Sequence, residues 1–206
     1  MKCIALLIKP LLVTCLIFLV ACSGKTVKTS AQSVSSGGGV PLAAKKISSP
    51  VKRDYDQALV YMQNSNYLQA ERVFKRIISV EASLAGPYIN LGIIRLKEGN
   101  LDEAERQFLL AKERNGSNAE VYNYLGIIYR QQGRFQEAES AYKRAIKQKP
   151  KFAKAYLNLG VLYDLYLGDY PAALKNYKQY EQFEPNDKRV KGWIIDLGQR
   201  MQASNL

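Results

Sequence analysis

From residue 51 onward the chain repeats itself every 34 residues, and that period constrains the fold more than any other feature. A fixed period of this length marks one supersecondary unit copied along the chain, each copy burying its apolar face against the next. Copies fall at 51–84, 85–118, 119–152 and 153–187. In the third, Tyr122, Leu125, Gly126 and Tyr129 lead to Gly133, Phe135 and Ala138, then to Tyr142, Ala145 and Pro150. The second copy carries Tyr88, Leu91, Gly92, Gly99, Leu101, Ala104, Phe108 and Ala111 in register. The fourth begins with Tyr156, Leu159, Gly160 and Tyr163, after which one inserted residue shifts Gly168, Tyr170, Ala173, Tyr177 and Pro185 by one. The first keeps Tyr61, Tyr67, Ala70, Phe74 and Ile77, with Ala58 where the glycine would stand.

Within each copy the apolar residues recur at helical spacing twice, so each predicts two helices that share a core face. The small residues Ala58, Gly92, Gly126 and Gly160 on the first helix, and Ala70, Ala104, Ala138 and Ala173 on the second, predict close approach of the two. Gly99, Gly133 and Gly168 punctuate the turn between them, with Ser65 in the first copy. Pro150 and Pro185 end second helices, because neither can continue the hydrogen-bond ladder. After Pro185, Asn186 or Asp187 can cap a further helix over 188–203. Its stripe of Val190, Trp193, Ile194, Leu197 and Met201 predicts a cover for the last repeat, the alternative being a partner-docking helix.

The third copy resembles the tetratricopeptide repeat, with Tyr122 in place of that family's tryptophan. The resemblance runs over residues 51–187 and implies an all-α, right-handed solenoid of four helix pairs. It also implies a concave groove, lined by first helices, that takes a peptide, strand or helix. Carried onto this sequence, the groove positions are Leu59, Ile93, Ile127 and Val161, with Ile89, Asn123 and Leu157, and with Asn90, Tyr124 and Asn158. Two readings stay open for the aliphatic row: it faces a partner, or it packs between adjacent first helices. Some family members hold acidic C-termini in a clamp of Lys, Asn and Arg. Asn90 matches its amide, but Glu120 and Tyr124 stand where the next repeat should offer cations.

The N-terminus predicts an address. Residues 1–21 hold two lysines and no acid, and an apolar stretch of about 10 residues, too short to span a bilayer, ends at Leu19-Val20-Ala21-Cys22. The stretch resembles a bacterial lipobox, which implies cleavage before Cys22 and lipidation of that residue; an ordinary signal peptide with a chance cysteine is the alternative. Ser23 after the cysteine, rather than Asp, implies by the same resemblance the periplasmic face of the outer membrane. Residues 22–50 read as a disordered tether, rich in Ser and Gly with Lys25, Lys28, Lys45 and Lys46 and no acid. As a flexible coil it spans about 30 Å.

Chemistry is mostly excluded. The chain has no histidine, and its three cysteines lie at 3, 15 and 22, so no imidazole, thiol or Cys/His metal site is expected in the repeats. No metal, cofactor or catalytic residue is predicted, and the protein is read as a non-enzyme. Processing at Cys22 leaves a net charge of +10. The positives are scattered rather than gathered on one aromatic-bearing element, which argues against nucleic acid and for an anionic membrane or an acidic partner. A basic cluster on the third copy, Arg130, Arg134, Lys143, Arg144, Lys147, Lys149 and Lys151, either meets such a partner or serves solubility.

The expected function is a membrane-anchored scaffold that recruits or stabilises proteins of an envelope complex. Lipobox plus repeats resembles pilus-biogenesis lipoproteins that help assemble a secretin. The stretches Leu162–Gly168 and Trp193–Leu197 resemble periplasmic repeat proteins that accompany TonB-type energy transduction. An accessory module for peptidoglycan synthases or hydrolases is the alternative.

Overall fold

The computed structural model describes residues 48–203. The leader, Cys22 and the tether up to residue 47 lie outside them, as do residues 204–206. Among the described residues every regular element is a helix. Four pairs follow one another: α1 (Ser49–Gln63) with α2 (Tyr67–Val80), α3 (Ala85–Lys97) with α4 (Leu101–Arg114), α5 (Ala119–Gln131) with α6 (Phe135–Gln148), and α7 (Ala153–Leu162) with α8 (Tyr170–Phe183). A ninth, α9 (Lys188–Ala203), packs on α8. Each second helix also packs against the first helix of the next pair, so the stack is a solenoid.

The first helix begins at Ser49, two residues earlier than the sequence boundary between tether and repeat. Pro50 stands in its first turn, where the missing N–H would lack a helical partner anyway. Three of the four second helices start on side-chain caps: Asn66, Asn100 and Asp169 accept from Gln69, Glu103 and Ala172 N–H groups. Pro150 and Pro185 stand just beyond the ends of α6 and α8. Asp187, of the two cap candidates, takes the Arg189 N–H at the start of α9. Bonds from Arg189 and Tyr180 hold its carboxyl at about 2, so the stability it adds is present above its ordinary value near 3.8 and is lost as pH falls toward 2.

The core is built on one contact used three times. The ring of Phe108 lies on the backbone of Gly92, Tyr142 on Gly126 and Tyr177 on Gly160. All three rings are enclosed, and burial pushes the Tyr142 phenol up to about 12. Burying a ring of this size contributes about 1.5–3 kcal/mol, and only a residue without a side chain lets the two helices close that far. In the first pair Ala58 replaces the glycine, and Phe74 packs edge-on against Tyr55 at 5.5 Å. The buried side chains form two clusters, and half-buried Ile127 and Tyr129 touch both.

The inserted residue of the fourth copy is absorbed as a π turn, Tyr163–Leu167, closed by Gly168 at φ 67°. The widened turn pushes Leu165, Tyr166 and Leu167 into solvent. Elsewhere the turn residue has positive φ as well: 77° at Gly133 and 57° at Ser65.

A methyl group on Gly126 would stand 2.5 Å from the Tyr142 ring, whereas one on Gly192 of α9 meets nothing. Gly126→Ala should therefore lower stability by about 1–3 kcal/mol despite its better helix propensity. Gly192→Ala should raise it by about 0.5–1 kcal/mol, and urea denaturation reads both signs. At the turns, Ser65→Gly should stabilise and Gly133→Ala destabilise, each by about 1 kcal/mol, because a Cβ opposes the left-handed conformation. Thermal unfolding of the two variants checks this pair.

Candidate functional site

The first helices α1, α3, α5 and α7 lie side by side, and the ten sequence-predicted partner-binding residues are on them. Side chains at the fifth and sixth repeat positions meet across neighbouring first helices. Asn90 Nδ2 donates to the Tyr55 hydroxyl at 2.6 Å and to the Gly86 carbonyl at 3.1 Å. Asn158 Nδ2 donates to Asn123 Oδ1 at 2.9 Å. The Tyr55 phenol is pushed well above its ordinary value by burial.

The structure thus sorts the predicted residues. Ile89, Asn90, Ile93, Asn123, Asn158 and Val161 are buried; the first three are at 1%, 0% and 2% exposure. The amides bond between neighbouring first helices, and the aliphatic residues Ile89, Ile93 and Val161 belong to the core clusters, so the structure places these six inside the stack rather than on its open surface. Leu59, Tyr124, Ile127 and Leu157 are half-buried and present part of their surface. Tyr124 stacks on Phe108 at 4.8 Å, which fixes its ring plane. The carboxylate-clamp match fails at its one positive point, since Asn90 is wholly enclosed.

Charged side chains collect where first helices turn into second ones. Arg95 joins Glu71 and Glu98, Arg134 joins Glu105 (2.8 Å) and Glu137 (2.5 Å), and Arg200 joins Asp164 (2.8 Å) and Asp196 (3.0 Å). The first two triads tie consecutive pairs together, and the third ties the closing helix to the fourth pair, each through one guanidinium fork. Sequence reasoning missed them because the long arm of each joins residues 24 to 36 apart. It also missed the outward patch of Leu165, Tyr166 and Leu167, whose signal was the single inserted residue. Among the described residues no three His, Cys, Asp or Glu side chains gather as a metal site, and no helix is long and apolar enough to cross a membrane.

A stack of antiparallel helix pairs with a small-residue seam in each is a helical-repeat protein. Three family models match it: tetratricopeptide repeat over 55–120, TPR repeat over 126–165 and tetratricopeptide repeat over 153–187. The chain belongs to the tetratricopeptide repeat proteins. Among solved structures it is similar to PilF of Pseudomonas aeruginosa, at 21% identity and TM-score 0.68 over 74% of this chain and 69% of that one. MamA matches at 21% identity and TM-score 0.63, over 70% and 84%. The first repeat domain of Spaghetti (RPAP3), bound to the HSP90 peptide SRMEEVD, matches at 22% identity and TM-score 0.51, over 54% and 89%. At these identities the likeness is one of fold. No curated protein matches the sequence.

The amide pair gives a direct test of the fastener role. Asn123→Ala should cost about 1–3 kcal/mol, because the buried Asn158 amide loses its acceptor. Replacing both with Leu should cost less than the single change, and urea midpoints for the two variants read the difference.

Proposed function

We propose that this protein is a lipid-anchored scaffold that recruits or stabilises partners of an envelope complex at the periplasmic face of the outer membrane. The observation that carries the binding half is the tetratricopeptide stack itself, with Leu59, Tyr124, Ile127 and Leu157 partly open along the row of first helices. Those residues suit the apolar side of an extended or amphipathic segment held in a concave groove. A related fold in Spaghetti (RPAP3) is bound to a peptide, which supports a peptide-like partner. Here the cation clamp for acidic C-termini is missing, so the contact is apolar in the main.

The anchor half rests on Cys22 and the sequence around it. The pilus and secretin setting rests on the combination of lipobox and repeats in the sequence; PilF shares the fold. A role in TonB-type energy transduction is the other member of the same class. No catalytic step is assigned: the repeats carry no histidine or cysteine, and most of their carboxylates stand in ion pairs or helix first turns.

Two measurements test this. Cys22→Ser in the full-length protein should move it from the membrane to the soluble periplasmic fraction; retention in the membrane would overturn the anchor. In-cell crosslinking should recover one dominant envelope protein with the parent chain. Leu157→Asp should lose that protein while keeping the far-UV helical signal, and unchanged capture by a folded variant would refute the first-helix row as the binding surface.

A further inference from the structure

Antiparallel pairing gives the stack two edges. One holds the turns within pairs, where the three arginine triads neutralise the acids. The other holds the ends of second helices and the starts of first helices. Side-chain contacts tie that second edge together: Tyr122 and Tyr156 hydroxyls donate to the Gly116 and Pro150 carbonyls, and Tyr156 lies 5.8 Å from Phe183.

In the C-terminal half this edge carries Lys147, Lys149, Lys151, Lys154, Lys188 and Lys191, beside Glu181, Glu184 and an Asp187 that is paired with Arg189, so positives remain in excess. All six are exposed, and none is among the ion-paired residues. Helix dipoles do not account for them. Lys154, Lys188 and Lys191 stand at the starts of α7 and α9, the positive ends, where neither helix has an acid in its first turn. By contrast α4, α5 and α6 do carry first-turn acids. The N-terminal half of the same edge is balanced, with Glu81, Glu113 and Glu120 beside Lys112 and Arg114. Arginine is the minority here, with Arg144 over the Tyr122 ring and Arg189 paired to Asp187; the six lysines are mobile point charges that suit a diffuse anionic surface better than the bidentate grip on one carboxylate that arginine gives.

We infer that this lysine edge docks on an anionic lipid surface, so that the stack lies against the membrane by the starts of its first helices. The inference rests on the anchor reading above for its direction. Residue 48, where the tether joins α1, is at the start of a first helix and hence on this same edge. Anionic headgroups attract clustered lysines that come within a screening length of the surface. Docked so, the first-helix row stands upright from the membrane with its half-buried residues accessible from the side.

The test uses the chain as processing would leave it, from residue 22, with Cys22→Ser to prevent acylation and a helical far-UV spectrum as the fold check. It should cosediment with phosphatidylcholine vesicles containing phosphatidylglycerol and not with phosphatidylcholine alone. Binding should vanish near 1 M salt, where the screening length falls to about 3 Å. Converting Lys149, Lys151, Lys188 and Lys191 together to Gln should weaken it at least about tenfold. Converting Arg72, Lys75, Arg76 and Arg106, on α2 and α4, removes the same charge and should weaken it far less. Equal losses from the two sets, or no preference for phosphatidylglycerol, overturn the inference. Binding of soluble polyglutamate without vesicle binding overturns it in favour of an acidic protein. Because this chain carries no lipid, failure here leaves the Cys22 result standing, and release failure in cells leaves this one standing.

Discussion

Everything else in this structure depends on an aromatic ring resting on bare backbone. Where Phe108, Tyr142 and Tyr177 meet Gly92, Gly126 and Gly160, the two helices of a pair are held at a separation that any side chain would enlarge. That separation sets the angle of the hairpin, and the hairpin angle sets how the next pair can stack. A repeat protein adds such small geometric choices in series, so a few tenths of an ångström at one seam are propagated along the array. The first pair does without the glycine by using Ala58 and packing Phe74 edge-on to Tyr55.

Polar contacts then fix neighbouring pairs relative to one another. Asn90 on Tyr55 and Asn158 on Asn123 lock first helix to first helix at buried points, where a misaligned neighbour would leave a donor without an acceptor. The arginine triads do the same at the exposed turn edge, with less at stake because water competes. Apolar packing supplies the association between pairs, and these directional groups select its register. The consequence for binding is that most of the first-helix row is used in holding itself together, and only its half-buried members have surface to offer.

The repeat period, the helix pairs and the closing helix were legible because each rests on local rules: helical spacing, small residues at a seam, glycine at a turn, proline past an end. The candidate binding residues were legible only as positions. Repeat position nine is half-buried at Leu59 and Ile127 and buried at Ile93 and Val161, although all four are aliphatic. No one-dimensional pattern separates them, because what covers each is a neighbour from another repeat. The arginine triads and the lysine edge were hidden for the same reason, their members being far apart in sequence and collected by antiparallel stacking.

By itself the sequence determined that this chain is a four-pair helical repeat with a closing helix, that its described part lacks imidazole and thiol chemistry, and where a lipid would attach if Cys22 is processed. Those follow from residue type and spacing, which act over a turn or two of helix. Tertiary structure alone decided which groove candidates are fasteners, that an extra residue becomes an outward π turn rather than a broken helix, and that six lysines outside any ion pair gather on one edge of the C-terminal half. Those follow from which helix ends the stacking brings together, a property of the assembled array that no single repeat contains.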